Sequence, residues 1–469
     1  MSFTRRTFLA GAASGLSVLV LAACTPEAPS PSPTGVPSPS PSPTGGVPAP
    51  AAVVRSSWST DQFARGAASF VAVGSSPEQR AVLRTPVGER VFFAGEATAE
   101  EEPGTVPGAL DSGVRVAGEV QAVTAGSERI AVIGAGAAGA TAARRLAEYG
   151  HTVTLIEARD RVGGRIDTRR SDDWPVPVEL GAAWVRGARA ESLAARLQLL
   201  DIETAELPGE PRLLTADGAE AGAGDDGERA VRDALGWAAG RPEDVSLSVA
   251  LASSGAGELS EDGAPSPADR LAAYLRDRVA LPYGASADAL SSWYADVDTS
   301  ATSGQLVLGG LDRVVEDLVD GLDVWLSTPV TSISYSDAGV SLRLSTGEAV
   351  SVDRVVVTVP LGVLKDQGLT FDPALPFAQR AAIADLGFGD SDVVWLRFDD
   401  AFWGTDAVVW TVLGGDLPIA DWVNLEPLTG EPILVGLVGA EAATALADLD
   451  ETDFSAALSR SLEPFAAAG

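Results

Sequence analysis

Three glycines after a short apolar run, and an acid at the end of the next apolar run, carry the clearest chemistry in this sequence. Gly134, Gly136 and Gly139 follow the run 130–133, and Glu157 closes the second run. In a strand–turn–helix–strand unit, the first glycine permits a tight turn, the second lets backbone approach a pyrophosphate, and the third lets helix and strand pack closely. The helix N-terminus adds unpaired N–H groups and a positive dipole. The pattern therefore predicts a dinucleotide-binding site.

Glu157 restricts which dinucleotide can bind. A carboxylate at this position accepts hydrogen bonds from the adenosine ribose and repels a 2′-phosphate, which disfavours NADP. The glycines alone would also suit a turn that binds nothing. The acid in the expected position makes a binding site the better interpretation.

The run Glu157–Arg165, EARDRVGGR, continues directly from the second strand. A kink at Gly163–Gly164 precedes Arg165, whose guanidinium can bind the same pyrophosphate through two hydrogen bonds. The run closely resembles the glycine-doublet motif of the flavin-dependent amine oxidases, the monoamine and polyamine oxidase family. Glu179–Gly187, ELGAAWVRG, resembles the family's next segment, which lies along the flavin. The resemblance implies that the dinucleotide is FAD.

The elements that must hold these residues follow from the apolar pattern. Strands are predicted at 130–133, 152–156 and 354–359, and a helix at 140–149. Short apolar strands with a helix between them indicate a buried parallel sheet. The predicted fold class is α/β: a Rossmann-like FAD-binding domain with a mixed α+β substrate-binding domain. This is the two-lobe amine oxidase architecture that the resemblance implies.

Residues 55–123 occupy an unexpected position in the sequence. The segments 58–70, 90–98 and 103–113 resemble, in family order, segments that most members carry near the C-terminus. In the family they supply the last strand of the flavin domain and a helix beside the flavin ring. Because they precede the dinucleotide motif in this chain, we expect a circularly permuted enzyme. An unrelated N-terminal domain is the alternative.

The permutation leads to geometric expectations. The cut ends, around residues 51–55 and 462–469, should lie close together, since this junction is continuous chain in relatives. Residues 92–93 should belong to the same sheet as strand 130–133. Residues 95–96 should touch the flavin.

The first 23 residues are predicted to be an export signal, because Arg5 and Arg6 precede a short apolar stretch. The arginine pair resembles a twin-arginine signal. Leu21–Cys24 resembles a lipobox, which implies cleavage before Cys24 and a lipid on its sulfur. An uncleaved anchor is the alternative, but the apolar stretch is too short to span a bilayer comfortably. We expect an extracytoplasmic protein, lipid-anchored to the outer face of the bacterial cytoplasmic membrane.

Composition and motifs together divide the chain into segments. These are the signal peptide (1–23), a Pro/Ser-rich linker (24–50), the permuted segment that completes the FAD site (51–127), the core of the FAD-binding domain (128–205), the helical part of the substrate-binding domain (206–310), the continuation of the FAD-binding domain (311–375) and the continuation of the substrate-binding domain (376–469). The linker is too polar and too rich in proline to bury a core.

The net charge and the rare residue types argue against several functions. A net charge of −32 and a pI near 4.3 disfavour a nucleic-acid partner. Cys24 is the only cysteine and His151 the only histidine. Serine–histidine catalysis and multi-histidine metal sites are therefore not expected, and no metal is predicted. Some relatives bind flavin covalently through Cys or His. Since Cys24 is assigned to lipid and His151 to a surface turn, the FAD should be non-covalent.

The resemblance assigns cofactor contacts residue by residue. The predicted FAD-binding residues are Gly95, Glu96, Thr105, Val106, Gly134, Gly136, Ala138, Gly139, Glu157, Ala158, Arg159, Gly164, Arg165, Gly181, Ala182, Ala183, Trp184, Val330 and Pro360. Relatives bind adenine through backbone at the position of Val330. No catalytic residue is assigned. The candidates for lining the flavin and substrate are Trp58, Ala68, Thr105 and Val393.

Two positions depart from the family. Many relatives carry a lysine near the reactive flavin nitrogen, and the matching residue here is Val393, next to Asp392. Many also place an aromatic pair around the substrate amine, and the matching residues are Ala68 and Thr105. An aromatic wall could instead come from Phe63, Phe70, Trp174 or Trp422. Tyr283, Trp293, Tyr294, Asp296 and Asp298 could face a substrate cation, or could belong to ordinary packing and a solvated loop.

The resemblance implies an FAD-dependent oxidase of amines. The C–H bond next to nitrogen would be oxidised to an imine, which hydrolyses to a carbonyl, and O2 would be reduced to H2O2. The expected partners are a small-molecule amine and O2, with membrane contact only through lipid on Cys24. Two alternatives stay open: an FAD-dependent desaturase or dehydrogenase of a non-amine substrate such as a polyene, and a non-catalytic flavin-binding module.

Overall fold

The glycine turn lies at one end of a parallel sheet in the computed structural model of the chain. The structure describes residues 46–187, 190–208, 210–298, 300 and 303–467. The predicted export signal, with Arg5, Arg6 and Cys24, and almost all of the predicted linker lie outside the described residues.

The described residues form many short strands and a smaller number of helices. The strands are β1 (Ala52–Arg55), β2 (Ala68–Phe70), β3 (Val91–Phe93), β4 (Arg129–Ile133), β5 (Thr152–Ile156), β6 (Thr168–Arg169), β7 (Val178–Glu179), β8 (Trp184–Val185), β9 (Thr204–Glu206), β10 (Arg212–Thr215), β11 (Gln305–Val307), β12 (Asp323–Trp325), β13 (Val330–Ser336), β14 (Gly339–Leu344), β15 (Ala349–Val352), β16 (Arg354–Val357), β17 (Thr370–Asp372), β18 (Gly387–Gly389), β19 (Ser391–Arg397), β20 (Val409–Leu413), β21 (Asp421–Asn424) and β22 (Ile433–Gly439). The helices are α1 (Glu78–Leu83), α2 (Val106–Ala122), α3 (Ala137–Glu148), α4 (Ala190–Leu199), α5 (Asp226–Ala238), α6 (Leu247–Ser254), α7 (Pro267–Leu275), α8 (Leu281–Tyr283), α9 (Asp312–Val319), α10 (Leu361–Lys365), α11 (Phe377–Asp385), α12 (Glu426–Thr429), α13 (Glu441–Ala447) and α14 (Glu451–Ala467).

The first lobe is built on a parallel sheet whose described strands have the order β12–β5–β4–β16–β3. Val357 of β16 stands beside Ile133 of β4 on one side and beside Phe93 of β3 on the other. The strands predicted around the dinucleotide motif are thereby confirmed, and residues 92–93 share their sheet as expected. Because parallel strands end at the same edge, the turns that follow β4, β5, β16 and β3 converge there.

Both faces of this sheet are covered, which explains why its strands are apolar throughout. Helices α2 and α3 pack on one face, where Phe92, Val132 and Leu146 belong to one buried cluster. The close approach of the two helices depends on Gly113, where a Cβ would lie 2.4 Å from the carbonyl oxygen of Ala138. The meander β13–β14–β15 and strand β17 form a small sheet that packs on the opposite face.

The second lobe contains a larger sheet with the described strand order β1–β19–β22–β21–β20–β10. One face packs against α13 and α14, through a buried cluster that includes Leu396, Trp410 and Phe465. The opposite face carries Trp395 and Leu437, which pack with residues around β7 in the first lobe. Helices α5, α6 and α7 contribute to a separate cluster beside this sheet. The two-lobe architecture is as predicted.

The segment predicted as permuted, 51–127, is divided between the lobes. Strands β1 and β2 pair with β19 and β18 of the second lobe, whereas β3 and α2 belong to the first. Arg55, at the end of β1, donates hydrogen bonds to the carbonyl oxygens of Leu446 at 2.8 Å and Leu449 at 3.3 Å. Its guanidinium lies 4.0 Å from the centre of the Phe454 ring. The start of the folded body thus contacts the C-terminal helices.

His151 lies in the turn between α3 and β5, but it is not the surface residue that the sequence predicts. Its side chain is 7% exposed. The Nδ1 atom accepts from the backbone N–H of Glu128 at 3.2 Å, and Nε2 lies 3.2 Å from Oε1 of Gln121. The ring therefore ties the end of α2 to the strand β4 that follows. In the described part of the chain, no helix combines the length and apolar character needed to cross a membrane.

Candidate functional site

A cavity of about 520 Å³ runs between the lobes, along the edge where the parallel strands end. Its walls include every residue predicted to bind FAD or to line the substrate, with the exception of Ala183. Ala183 is buried, packs against the second-lobe sheet and uses its carbonyl to accept from Val307 N–H at 2.8 Å. Its neighbours Ala182 and Trp184 line the cavity instead.

The glycine turn is shaped by backbone contacts that only glycine permits. Gly134 has φ +101°, a region that side chains disfavour. At Gly139, a Cβ would lie 1.8 Å from the carbonyl oxygen of Gly134, so no side chain fits between helix and turn. Gly136 is the N-cap of α3, which places the first N–H groups of that helix against the cavity. The arrangement can accept a phosphate through backbone N–H groups and the helix dipole.

Glu157 is buried at the end of β5 and lines the cavity. Its two oxygens accept from the backbone N–H groups of Ala135 at 2.7 Å and Arg159 at 2.9 Å. These bonds hold the carboxylate beside the glycine turn, and its remaining lone pairs can accept from ribose hydroxyls. Val330, at the start of β13, lines the same end of the cavity. We call this part, with the glycine turn, the adenosine end.

Arg159 lines the adenosine end and forms an ion pair with Asp61. Its guanidinium binds both carboxylate oxygens of Asp61, at 2.7 and 2.6 Å. Burial would raise the pKa of Asp61, but the hydrogen bond and charge of Arg159 outweigh it and hold that pKa below its usual value. Asp61 belongs to the segment 58–68, much of which lines the cavity.

A buried network of charges occupies the middle of the cavity wall. Arg165 Nη1 donates to Glu96 Oε1 at 3.0 Å and to the carbonyl oxygen of Ala67 at 2.6 Å. Burial alone would raise the pKa of Glu96, yet the nearby Arg165 and Arg80 bring it below its usual value. Because Nη1 of Arg165 is committed to these partners, a two-point contact with a pyrophosphate would have to use its other nitrogens. Glu96 also accepts from Gly104 N–H at 2.9 Å, which fixes the loop before α2.

Thr105 ends that loop and begins α2. Its Oγ1 accepts from the N–H of Gly108 at 3.1 Å and donates to the carbonyl oxygen of Glu102 at 2.7 Å. Thr105 is therefore a helix cap that also lines the cavity. Trp58 lines the cavity and donates from its indole N–H to the carbonyl oxygen of Leu180, the residue after β7, at 2.9 Å.

The far end of the cavity, which we call the substrate end, is mostly apolar. Trp184, Leu281, Val393 and Leu437 line it and belong to one cluster. Val393 and Leu437 are direct partners in neighbouring strands β19 and β22. Next to Val393, Asp392 is buried, and burial raises its pKa.

Among the four aromatic residues proposed for a substrate wall, Phe63 alone lines the cavity, and it lies near Arg159 at the adenosine end. Trp174 packs edge-on against Trp395, and Trp422 is fully buried in the second-lobe core. Trp184 provides the aromatic surface at the substrate end. The other residues proposed to face a substrate cation, Tyr283, Trp293, Tyr294, Asp296 and Asp298, are not among the lining residues.

Arg186 lines the cavity and was missed as a site residue. It follows Trp184 by two positions, so the two side chains point to the same side of extended chain. Val185 between them faces the opposite side and packs with the core under α4. This alternation is the signal that could have identified Arg186 from the sequence.

The residues of the cavity fit FAD. A carboxylate, backbone groups and a helix N-terminus stand at the adenosine end, Arg165 lies at the middle, and an apolar wall follows. A Cβ at Gly136 would already touch the carbonyl oxygen of Gly163, at 3.6 Å, so a larger side chain there would fill the space that a phosphate chain needs. Among the described residues, no group of three or more His, Cys, Asp or Glu is placed to hold a metal ion.

Comparison with protein families agrees with this geometry. The family described as flavin containing amine oxidoreductase matches residues 43–121 and 137–467. The family described as pyridine nucleotide-disulphide oxidoreductase matches residues 83–172.

The chain is also similar to individual proteins. Polyamine oxidase 4 of Oryza sativa subsp. japonica is 28% identical over 368 residues, which cover 74% of this chain and 74% of that protein. Lysine-specific histone demethylase 1 homolog 3 of Arabidopsis thaliana is 30% identical, over 67% of this chain and 24% of that protein. Among solved structures, putrescine oxidase bound to putrescine has a TM-score of 0.58 and 22% identity, covering 73% of this chain and 83% of that one.

Proposed function

Because the chain belongs to the flavin-containing amine oxidoreductase family, with FAD as its cofactor, we propose that it oxidises the C–H bond next to an amine nitrogen with O2 as the final acceptor. The amine loses two hydrogens and becomes an imine, water hydrolyses the imine to a carbonyl, and O2 is reduced to H2O2. The observation that carries the proposal is the continuity of one cavity from the dinucleotide motif to an apolar substrate end.

The protein's own residues position the reactants. Glu157 and the N-terminus of α3 hold the adenosine and phosphate parts, and the pair Arg165–Glu96 fixes the middle of the wall. Bound FAD supplies a two-electron acceptor beside the apolar wall. Trp184 and Val393 surround the substrate with apolar surface, which lowers the pKa of its ammonium group and favours the neutral amine that reacts.

Peroxide release is the decisive test of this function. The purified chain, loaded with FAD, should release H2O2 in air when it is given a panel of primary and secondary amines. Reduction of the flavin by a polyene, with no response to any amine, would support a desaturase instead. A flavin that no substrate reduces would identify a binding module.

We also propose that the chain is a circular permutation of the family fold. Support comes from β3 and α2, which precede β4 in the chain yet complete its sheet and cover it. The family match is interrupted at residues 122–136, between α2 and the glycine turn. The contacts of Arg55 with Leu446, Leu449 and Phe454 support a junction between the two ends of the body.

Rejoining the chain tests the permutation. A variant that starts at Ser127, with residue 467 linked to residue 46 and a new end at residue 126, should fold and bind FAD like the original. A control that moves the cut into the middle of α5, a helix whose apolar face is buried, should not. Failure of the first variant under conditions where the original chain folds would contradict the permutation.

The export proposal concerns residues outside the described part. We propose that Arg5 and Arg6 direct export through the twin-arginine route, and that lipid on Cys24 anchors the protein to the outer face of the bacterial cytoplasmic membrane. Replacing both arginines with lysine should abolish export, and Cys24→Ser should prevent lipid attachment. A double variant that still reached the outer face would exclude the twin-arginine route.

A further inference from the structure

The connection between α2 and β4, residues 123–128, is held by two buried side chains that the proposed function does not use. His151 lies just before β5 and is 7% exposed, and Arg354 begins β16 and is 6% exposed. Neither residue lines the cavity. Both bind backbone groups of the α2–β4 connection, so its position depends on side chains from two other parts of the chain.

The contacts of His151 require a neutral ring. The N–H of Glu128 donates to Nδ1 at 3.2 Å, so Nδ1 carries no hydrogen. A neutral imidazole then has its hydrogen on Nε2, which lies 3.2 Å from Oε1 of Gln121 and donates to it. A ring with hydrogen on both nitrogens would meet the N–H of Glu128 with another N–H. Protonation therefore breaks the bond to Glu128 and leaves the bond to Gln121 intact.

Arg354 holds the same connection through charge and hydrogen bonds. Its Nε donates to Oε2 of Glu128 at 2.7 Å, and its Nη2 donates to Oε1 at 3.2 Å. Nη2 also donates to the carbonyl oxygen of Val123 at 3.1 Å, and Nη1 donates to the carbonyl oxygen of Glu89. The guanidinium thus contacts both ends of the connection. None of these contacts involves the imidazole of His151.

The charges around the ring act in opposite directions. Burial lowers the pKa of His151, Glu128 raises it and Arg354 lowers it, and the result lies below the ordinary value of 6.5. Other charged side chains on the elements around the ring pair with each other: Arg115 with Glu119 on α2, Arg129 at the start of β4 with Asp353, and Arg145 with Glu148 on α3. The ring is therefore neutral at neutral pH and gains its proton in acid.

We propose that His151 is a pH-sensitive clamp on the α2–β4 connection: the neutral ring fixes residues 123–128, and protonation of the ring releases them. A base whose pKa is lowered by folding stabilises the folded form at high pH, and this contribution is lost as pH falls below the ordinary pKa. The freed stretch 124–127, TAGS, is small and polar, which makes it a site for cleavage by proteases in acid. The clamp does not depend on which substrate the enzyme oxidises.

The titration of the ring can be followed directly, because His151 is the only histidine of the chain. The protein is produced without a histidine tag and with 13C-labelled histidine, and NMR then records one ring signal between about pH 8 and pH 5. The midpoint should lie below 6.5. Gln121→Glu places a carboxylate against Nε2 and should raise the midpoint by about one pH unit.

Hydrogen exchange measures the release of the connection. The N–H groups of residues 123–128 are compared at about pH 8 and pH 5, after correction for the effect of pH on the intrinsic exchange rate. In the original chain, protection of the N–H of Glu128 should fall about 10-fold in acid, the effect of losing one buried hydrogen bond. In His151→Asn, the side-chain oxygen can accept from this N–H at either pH, so protection should stay nearly constant.

Glu148→Gln is the matched control. It removes a negative charge from the exposed end of α3, close to His151 in sequence but outside its hydrogen bonds. Both the midpoint of the ring and the protection of residues 123–128 should match those of the original chain. The FAD content of each variant, read from the flavin absorbance, shows whether it is folded.

Each outcome bears on the clamp. If the ring titrates and the protection of residues 123–128 does not follow, or if the ring stays neutral while the folded chain is taken to about pH 5, the clamp is wrong. If the original chain and His151→Asn lose protection and FAD together in acid, the whole protein unfolds and His151 is not the cause. If His151→Asn does not fold, Gln121→Glu decides, because release must move to higher pH together with the titration of the ring.

Discussion

The two ends of the cavity are built in different ways. Apart from Val330, the adenosine end is made by backbone and by residues close in sequence, from Gly134 to Arg159, and its glycines at 134 and 139 leave no room for a Cβ. The substrate end is made by side chains from β8, α8, β19 and β22, which lie far apart in sequence. We therefore expect changes at the adenosine end to prevent FAD binding or to unfold the protein. Changes at the substrate end should alter the choice of substrate and the pH dependence of stability.

The largest expected effect tests the close packing of the adenosine end. Gly139→Ala places a Cβ 1.8 Å from the carbonyl oxygen of Gly134, so the helix and turn must separate. We expect a loss of about 3 kcal/mol or more in the free energy of unfolding, together with loss of FAD. Urea unfolding and the flavin absorbance of the purified protein measure the two effects.

The matched control is Gly118→Ala in the exposed part of α2, where a Cβ would meet nothing within 4 Å. This change should stabilise the protein by about 0.5–1 kcal/mol, since alanine favours a helix more than glycine does. Equal responses of the two variants would show that the turn is not tightly packed.

The next effect concerns the acid of the adenosine end. Glu157→Ala removes the bonds to the N–H groups of Ala135 and Arg159 and the contact expected with ribose. We expect FAD binding to weaken by about 2–4 kcal/mol, as measured by titrating FAD into the apoprotein. Glu148→Ala, on the exposed end of α3, should leave the affinity unchanged. A weakening below about tenfold for Glu157→Ala would argue against a ribose contact.

Glu179, which is not among the residues lining the cavity, should make the stability depend on pH. Burial raises the pKa of Glu179 to about 7, against an ordinary value of 4.5, although Thr168 and the N–H of Leu311 bind its oxygens. An acid whose pKa is raised by folding stabilises the protein at low pH, and that contribution is lost as pH rises from about 4.5 through 7. The contribution is on the order of 3 kcal/mol at most.

Glu179→Gln keeps both hydrogen-bonding positions and removes the titration. We expect the variant and the original to have similar stability near pH 5, and the variant to be more stable near pH 8. Urea unfolding at the two pH values gives the difference. A parallel pH dependence in both proteins would assign the effect to other groups.

The smallest effect is expected at the substrate end. Asp392→Asn keeps the acceptor for Ser56 Oγ and the N–H of Trp58, and it replaces a buried oxygen that has no hydrogen-bond partner among the described residues. Since burial raises the pKa of Asp392, the change should stabilise the protein by about 1 kcal/mol at pH 8 and by less at pH 4.

The control is Asp353→Asn, which breaks a partly exposed pair with Arg129 and should instead destabilise the protein by at most about 1 kcal/mol. Loss of stability in Asp392→Asn would indicate a partner for that oxygen.

Much of the adenosine end could be predicted because its requirements are local. The turn needs glycine at position 134, where φ is +101°, and the close packing of α3 on the turn needs glycine at position 139. Neither requirement depends on distant parts of the chain. The same reasoning predicted the strands on either side of the turn. The burial of His151 was missed, because the turn itself is local but the residues that cover it come from α2.

The sequence alone determined the dinucleotide site, since short-range spacing within one segment carries it. The apolar strands predicted the α/β class, and the resemblance of several segments identified the amine oxidase family. The tertiary structure decided which side chains meet at the substrate end. Trp184, Val393 and Leu437 come together because β19 and β22 pair and the two lobes close on one cavity. It also turned Ala183 away from the site and Arg186 toward it. The reason is that a side chain's direction depends on the strand and register in which it is held, and these are fixed by contacts between distant parts of the chain.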